Sequence, residues 1–272
     1  MEHPKQILSR YGLEPKKSLG QNFLYDDNIL AAIVAAAPVN RQDHVLEIGA
    51  GLGALTQHLA DAARSVVAVE IDQRLLPILR EEVAARANVD IVQADILALD
   101  PGTWFGQRSF KVVANVPYYI TGAILEHLLG GESKPEAMVL TLQKEVAERI
   151  AAGPGDMTHL AVSVQLYGKV RIVREISAGA FWPRPDVDSA ILRFERQPQA
   201  LLSPADEKAF FRLVRAGFSQ KRKQLQKNLR ALGFERRETV ALLKSTGIDP
   251  KRRAETLSIE EWLRVYDALQ QL

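Results

Sequence analysis

Val45-Leu46-Glu47-Ile48-Gly49-Ala50-Gly51-Leu52-Gly53-Ala54-Leu55-Thr56 reads as an apolar strand, a glycine-rich turn and the start of a helix. Glycine lacks a Cβ, so such a turn can be tight and can bring backbone close to a ligand. The same glycines also suit plain helix–sheet packing. Gly49, Gly51 and Ala54 satisfy the dinucleotide fingerprint as well, which makes a nicotinamide enzyme one reading of the turn. The rest of the chain has to decide between these.

Outward from that stretch, short apolar runs alternate with helical patterns. Strands are expected at His44–Ile48, Ser65–Glu70, Val89–Gln93, Phe110–Asn115 and Ala137–Leu142. Helices are expected between and after them at Ala54–Ala63, Gln73–Arg86, Gly122–Leu129 and Lys144–Ala151. This alternation predicts an α/β fold with a mostly parallel sheet covered on both faces. Right-handed crossovers put the carboxyl ends of the strands on one edge, where ligands bind. A helix at His159–Tyr167 then leads to strands at Val170–Ile176 and Ser189–Phe194, an antiparallel pair at one edge of the sheet. Upstream, residues 1–25 have no clear period and read as an arm rather than a core element. From residue 196 the texture turns helical, at Pro204–Ser219, Arg236–Ser245 and Ile259–Leu269. The expected organisation is an arm at 1–25, an α/β domain at 26–195 and a small all-helical domain at 196–272.

Polar groups collect at the expected strand ends. Glu70 closes the second strand, 21 residues after Gly49, where a carboxylate can accept bonds from both hydroxyls of a ribose. Asp95 follows the third strand and could accept from an adenine amine, with Ile71 and Ile96 flanking the ring. After the fourth strand comes Asn115-Val116-Pro117-Tyr118-Tyr119. Asparagine carries a donor and an acceptor on a short stem, and proline fixes φ without an N–H. A planar amine could lie on Tyr118 with its hydrogens accepted by the Asn115 side-chain oxygen and the Val116 carbonyl. Each acid alone reads equally as a helix cap; the ordered set is far more specific.

That set resembles the S-adenosylmethionine-dependent methyltransferases of nucleic-acid amino groups, and within them the ribosomal RNA adenine N6-dimethyltransferases. The resemblance covers about residues 16 to 270. It rests on Lys17-Ser18-Leu19-Gly20-Gln21-Asn22-Phe23-Leu24, on Asn115-Val116-Pro117-Tyr118, on Leu142–Arg149, on Phe181-Trp182-Pro183-Arg184-Pro185-Asp186-Val187-Asp188-Ser189 and on Phe218-Ser219-Gln220-Lys221-Arg222-Lys223. It implies a Rossmann-like class I methyltransferase domain with a seven-stranded sheet and S-adenosyl-L-methionine as donor. It further implies Asn22, Leu24, Gly49, Gly51, Glu70, Ile71, Asp95, Ile96 and Asn115 around that donor, and Asn115, Val116, Pro117, Tyr118 and Phe181 around the target base. The branch it resembles most acts on two adjacent adenines of 16S rRNA in the small subunit or its precursor. The large-subunit (23S) resistance methylases and non-catalytic nucleic-acid-binding relatives are the alternatives. Met157-Thr158-His159-Leu160-Ala161 departs from the family's usual Tyr-Gly-Arg-Leu-Ser-like stretch.

Charge agrees with an RNA partner. The net charge is +2, yet residues 196–272 hold 16 Lys/Arg against 9 Asp/Glu. Phe210 to Phe234 holds seven cations and no acid, among them Arg215, Lys221, Arg222, Lys223 and Lys227, which helical pitch could set on one face. There is no cysteine, and the five histidines show no metal-ligand spacing, so no metal site is expected. No apolar run reaches a membrane span and the first residues have no signal core, so a cytoplasmic protein is expected. Its oligomeric state is left open by the sequence, with a monomer as the expectation.

Overall fold

A computed structural model of the chain describes residues 1–106 and 108–271. It divides into two compact units, Met1–Ala147 with Val170–Arg196, and Glu148–Lys169 with Gln197–Leu272.

The first unit opens with helix α1 (Pro4–Arg10) and the short strand β1 (Phe23–Leu24). Helix α2 (Asp27–Ala36) starts where the Asp26 carboxylate accepts from the N–H groups of Asn28 and Ile29, two donors an uncapped first turn would leave unpaired. It ends just before Pro38, which lacks the N–H a helix needs. The alternation then runs β2 (His44–Ile48), α3 (Ala54–Ala62), β3 (Ser65–Glu70), α4 (Leu76–Glu82), β4 (Val89–Gln93), a single turn α5 (Gly102–Phe105), β5 (Phe110–Asn115), α6 (Thr121–Gly130), β6 (Ala137–Gln143) and α7 (Lys144–Ala151). The chain passes through helix α8 (His159–Gln165) in the second unit. It returns as β7 (Gly168–Ile176), β8 (Phe181–Trp182) and β9 (Ser189–Arg196).

Seven strands form one sheet in the order β4-β3-β2-β5-β6-β9-β7. β4, β3, β2, β5 and β6 are parallel neighbours, and β9 runs antiparallel to β6. The chain builds outward from β2 to β3 and β4, then crosses back to place β5 on the other side of β2. The gap between the ends of β2 and β5 is therefore the switch in strand order, where an open α/β sheet holds its ligand. The inner strands β2, β3, β5 and β6 are buried along nearly their whole length and are mostly apolar, whereas the edge strands β4 and β7 carry exposed polar residues. Val45, Val66, Ala68, Val113 and Ile191 pack in one core with Leu30 and Ile33 of α2 and Leu55 and Leu59 of α3. Each such Val, Leu or Ile contributes about 1.5–3 kcal/mol when fully buried.

The second unit adds α9 (Pro204–Gly217), a turn α10 (Leu225–Asn228), α11 (Arg236–Ser245) and α12 (Ile259–Leu269). Ser258 and Glu261 form a reciprocal capping box at the start of α12. The core gathers Phe210, Leu213, Leu243, Val265 and the fully buried Trp262.

Four expectations need correction. The helical unit does not begin at 196. Residues 148–169 belong to it, because Met157, Ala161, Val162 and Leu166 share the core of Phe210 and Trp262. Residues 1–25 are more than an arm: Ile7 and Leu8 of α1 and Phe23 of β1 pack with Leu52, Leu75 and Ile78 in a core of their own. The helix expected over Gln73–Arg86 is cut to Leu76–Glu82, with Pro77 in its first turn and hydrogen-bonded turns at Leu75 and Ala84–Arg86 on either side. Finally, Lys221, Arg222 and Lys223 lie in the non-helical link between α9 and α10, so helical pitch does not align them.

Candidate active site

β2, β3, β4 and β5 end on one edge, and a cleft of about 270 Å³ opens there. Asn22, Leu24, Gly49, Gly51, Glu70, Ile71, Asp95, Ile96, Asn115, Val116, Pro117 and Tyr118 all line it. Residues spread over almost a hundred positions of sequence meet because those from Gly49 to Tyr118 follow strands of one parallel sheet, while Asn22 and Leu24 come from the segment around β1.

The glycine turn is held from two sides. The N–H groups of Gly49 and Ala50 donate to the Val69 carbonyl at 2.8 and 3.1 Å. Gly51 adopts φ +57°, and a Cβ there would lie 3.3 Å from the Phe23 ring. Only glycine suits both that left-handed backbone and that close approach. The Gly51 N–H donates to Glu70 Oε2 at 2.8 Å, and the Asp72 N–H donates to Glu70 Oε1 at 2.7 Å. Burial pushes the Glu70 carboxyl up, while these N–H groups favour its charged form. Each oxygen of Glu70 is thus fixed by one backbone donor and keeps further acceptor capacity.

Asp95 is exposed at the cleft and accepts from the Leu97 N–H at 3.0 Å. It is a cap and a cleft residue at once. Ile96 is buried beneath it, while Ile71 is 47% exposed.

On the other side of the switch point, the Val116 N–H donates to the Thr141 carbonyl of β6 at 3.1 Å and fixes the start of the turn. The Asn115 amide donates through Nδ2 to the Asn22 carbonyl at 3.1 Å. That bond uses one of the two amide hydrogens and orients the side chain, leaving Oδ1 as its acceptor end. The Tyr118 hydroxyl lies 2.6 Å from Ser189 Oγ, at the start of β9. Burial holds this phenol above its ordinary range.

Phe181 stands apart. It is 2% exposed, pairs with Leu24 across β1–β8, and packs in the main core with Ile33 and Ile191. It lies in that core beside Leu24. The base contact expected of it rests on the resemblance of its motif.

Two groups were missed. Glu47 is 1% exposed within β2, lines the cleft, and has no hydrogen-bond partner for Oε2 among the described residues. Burial, opposed by the neighbouring Thr56 hydroxyl and helped by the charge of Glu70, pushes its carboxyl up to about 8. Its signal was available, since Glu47 is an acid inside an apolar run. The second group is Gln21 with Asp72. Gln21 Nε2 donates to Asp72 Oδ2 at 2.9 Å, and Arg74 Nη2 donates to the same oxygen at 2.6 Å. The Arg74 guanidinium holds the Asp72 carboxyl down at about 2. No local pattern joins residues 21 and 72.

Arg215, Lys221, Arg222, Lys223 and Lys227 are all exposed in the second unit, as are Arg212 and Arg230. Among the described residues no group of His, Asp or Glu is placed to hold a metal ion, and no helix is long and apolar enough to cross a membrane.

Known proteins share this arrangement. The family model for ribosomal RNA adenine dimethylase matches residues 12–271. A ribosomal RNA small subunit methyltransferase A of Dehalococcoides mccartyi is 44% identical over 264 residues, covering 96% of this chain and 91% of that protein. Among solved structures, a dimethyladenosine transferase from Plasmodium falciparum superposes with a TM-score of 0.77 at 27% identity, over 89% of this chain and 95% of that one. The 23S rRNA methyltransferase ErmE gives 0.76 at 32% identity, over 92% and 100%. A strand edge of this composition and a match over nearly the whole length lead to one statement of kinship: the chain belongs to the ribosomal RNA adenine dimethylase family.

Proposed function

We propose that the chain transfers methyl groups from S-adenosyl-L-methionine to the N6 amines of two adjacent adenines near the 3′ end of 16S rRNA. The product is N6,N6-dimethyladenosine. The substrate is the 30S subunit or its precursor in the cytoplasm, and the enzyme works as a monomer. The observation that carries this reading is the placement of Asn115–Tyr118 at the switch point, across from the glycine turn and its two carboxylates.

The cleft suits such a donor. Glu47 offers an unpartnered buried carboxyl oxygen that a cationic group would satisfy. Glu70 offers two anchored oxygens to ribose hydroxyls, and Asp95 an exposed carboxylate to an adenine amine between Ile71 and Ile96. Asn22, Leu24, Gly49 and Gly51 complete the lining. When bound, S-adenosyl-L-methionine supplies an electrophilic methyl group.

The protein's task is then to prepare a poor nucleophile. The N6 lone pair of adenine is delocalised into its ring. Asn115 Oδ1 and the Val116 carbonyl accept the two N6 hydrogens, draw the nitrogen toward tetrahedral geometry and aim its lone pair. Tyr118 stacks on the extruded base, held in plane by Ser189. Positioning and prearranged acceptors lower the barrier, so the site needs no strong base. Arg215, Lys221, Arg222, Lys223 and Lys227 hold rRNA phosphates. Phe181 backs Leu24 from the core.

The higher identity to the small-subunit methylase than to ErmE favours 16S over 23S rRNA. The test offers labelled S-adenosyl-L-methionine with unmethylated 30S and 50S subunits in parallel and identifies the modified nucleosides after digestion. Dimethyladenosine from 30S alone is the expected result. Label in 50S or free 23S rRNA would move the enzyme to the large-subunit branch.

A further inference from the structure

Tyr118 and Tyr119 are consecutive in one 3₁₀ turn, Tyr118–Ile120, yet the fold treats them oppositely. The Tyr118 hydroxyl is tied to Ser189, itself fully buried at the start of β9. Tyr119 is 58% exposed, the most exposed of the large hydrophobic side chains among the described residues, and it too lines the cleft. Its ring is not loose. Gly20, at φ +60°, comes so close that a Cβ built there would lie 3.2 Å from Tyr119 Cδ1 and 3.8 Å from Pro117 Cβ. The segment before β1 therefore backs the ring on one side, and the rest of it meets solvent at the mouth of the cleft.

We propose that Tyr119 is a second nucleobase site, a stacking platform for the nucleotide next to the one held on Tyr118. The inference rests on the proposed function and deepens it. Extruding a base from an RNA costs the stacking it had with its neighbours. Drawing one into the cleft strips a stacking partner from the other. An aromatic ring one residue along the chain, backed on one side and exposed on the other, replaces that partner. Aromatic stacking tolerates any base, so the same platform serves whichever neighbour lies on its side of the cleft. The Ser189 bond keeps Tyr118 from sharing this task, since its hydroxyl is anchored inside. The two tyrosines thus hold apart two bases that would otherwise restack and pull the target back out.

The experiment crosses variants with substrates, using the full chain and 30S particles reconstituted with unmethylated 16S rRNA. In two further particles, one or the other of the adjacent adenines is replaced by an abasic nucleotide, leaving a single target with no neighbouring base. Wild-type enzyme is expected to lose about tenfold in kcat/KM on at least one abasic particle, the size of one stacked base. Tyr119→Leu, which keeps apolar cover over Gly20 but no π face, is expected to lose about tenfold on the particle with both bases and nothing further on that abasic particle. Tyr119→Phe is expected to restore the wild-type pattern. Donor affinity, measured by calorimetry, stays constant throughout. Equal losses for Tyr119→Leu on both substrates would mark a purely structural role and overturn the platform, as would a wild-type rate indifferent to the missing base. Absence of adenine methylation by the wild-type chain is a different failure, since it would overturn the proposed function itself before any variant is compared.

Discussion

Glu47 is an acid that its own strand cannot accommodate as an anion. Ionisation in the unfolded chain begins near the ordinary value of 4.5, whereas burial keeps the folded carboxyl neutral up to about 8. Between those values the unfolded state releases a proton that the folded state retains, so rising pH costs stability through this group. Below 4.5 both states are protonated and the cost is absent. Unfolding free energies of wild type and Glu47→Gln, taken without donor from pH 4 to 8, should therefore diverge. The wild type should lose up to about 1.4 kcal/mol per pH unit relative to the variant. Parallel curves would mean that Glu47 ionises normally. Residue chemistry of this kind was half legible. A lone acid in Leu46-Glu47-Ile48 can be seen in the sequence, and so can the donor and acceptor of Asn115. That the amide is oriented by the bond to the Asn22 carbonyl, leaving its acceptor for substrate, depends on a contact across 93 positions.

Elements were the most legible scale where burial dictates them. β2, β3 and β5 fall at the expected bounds because each is a mostly apolar run cut off by polar or glycine residues, as inner strands of a covered sheet require, and the edge strand β4 keeps its bounds through Val89, Ile91 and Val92. α4 was overextended because its apolar spacing continues past the turns that close it. The segment before β1 was underestimated, since its order comes from partners distant in sequence. Gln21 is bonded to Asp72, Phe23 lies on Gly51, and Phe23 and Leu24 pair with Trp182 and Phe181. The Gln21 amide is a latch that can be tested by itself. Gln21→Ala removes the bond to Asp72 and the one its Oε1 accepts from the Lys16 N–H. At about 1 kcal/mol each, local amide exchange in residues 16–24 should speed up by roughly five- to thirtyfold. Exchange in β2 and β5 should not change. Unaltered exchange at 16–24 would show that the Gly51 and Trp182 contacts suffice without the latch.

The whole molecule combines an α/β unit that carries the cleft with a helical unit that carries the exposed cations. The charge asymmetry and the change of texture near 196 made two units legible. The membership of residues 148–169 was not, because a helix pattern reports its own buried face and not which core receives it. This division of labour gives the central claim a sharp form. If Asn115 prepares the amine, its side chain should matter to the chemical step far more than to holding either substrate. The direct measurement is the single-turnover methyl-transfer rate of Asn115→Ala on 30S particles, with donor and RNA affinities measured on the same variant. The account predicts a rate lower by about 100- to 1,000-fold, a loss of donor affinity of no more than about fivefold from the broken bond to Asn22, and unchanged RNA affinity. A chemical step within a few-fold of wild type, or a loss explained wholly by weaker binding, would contradict it.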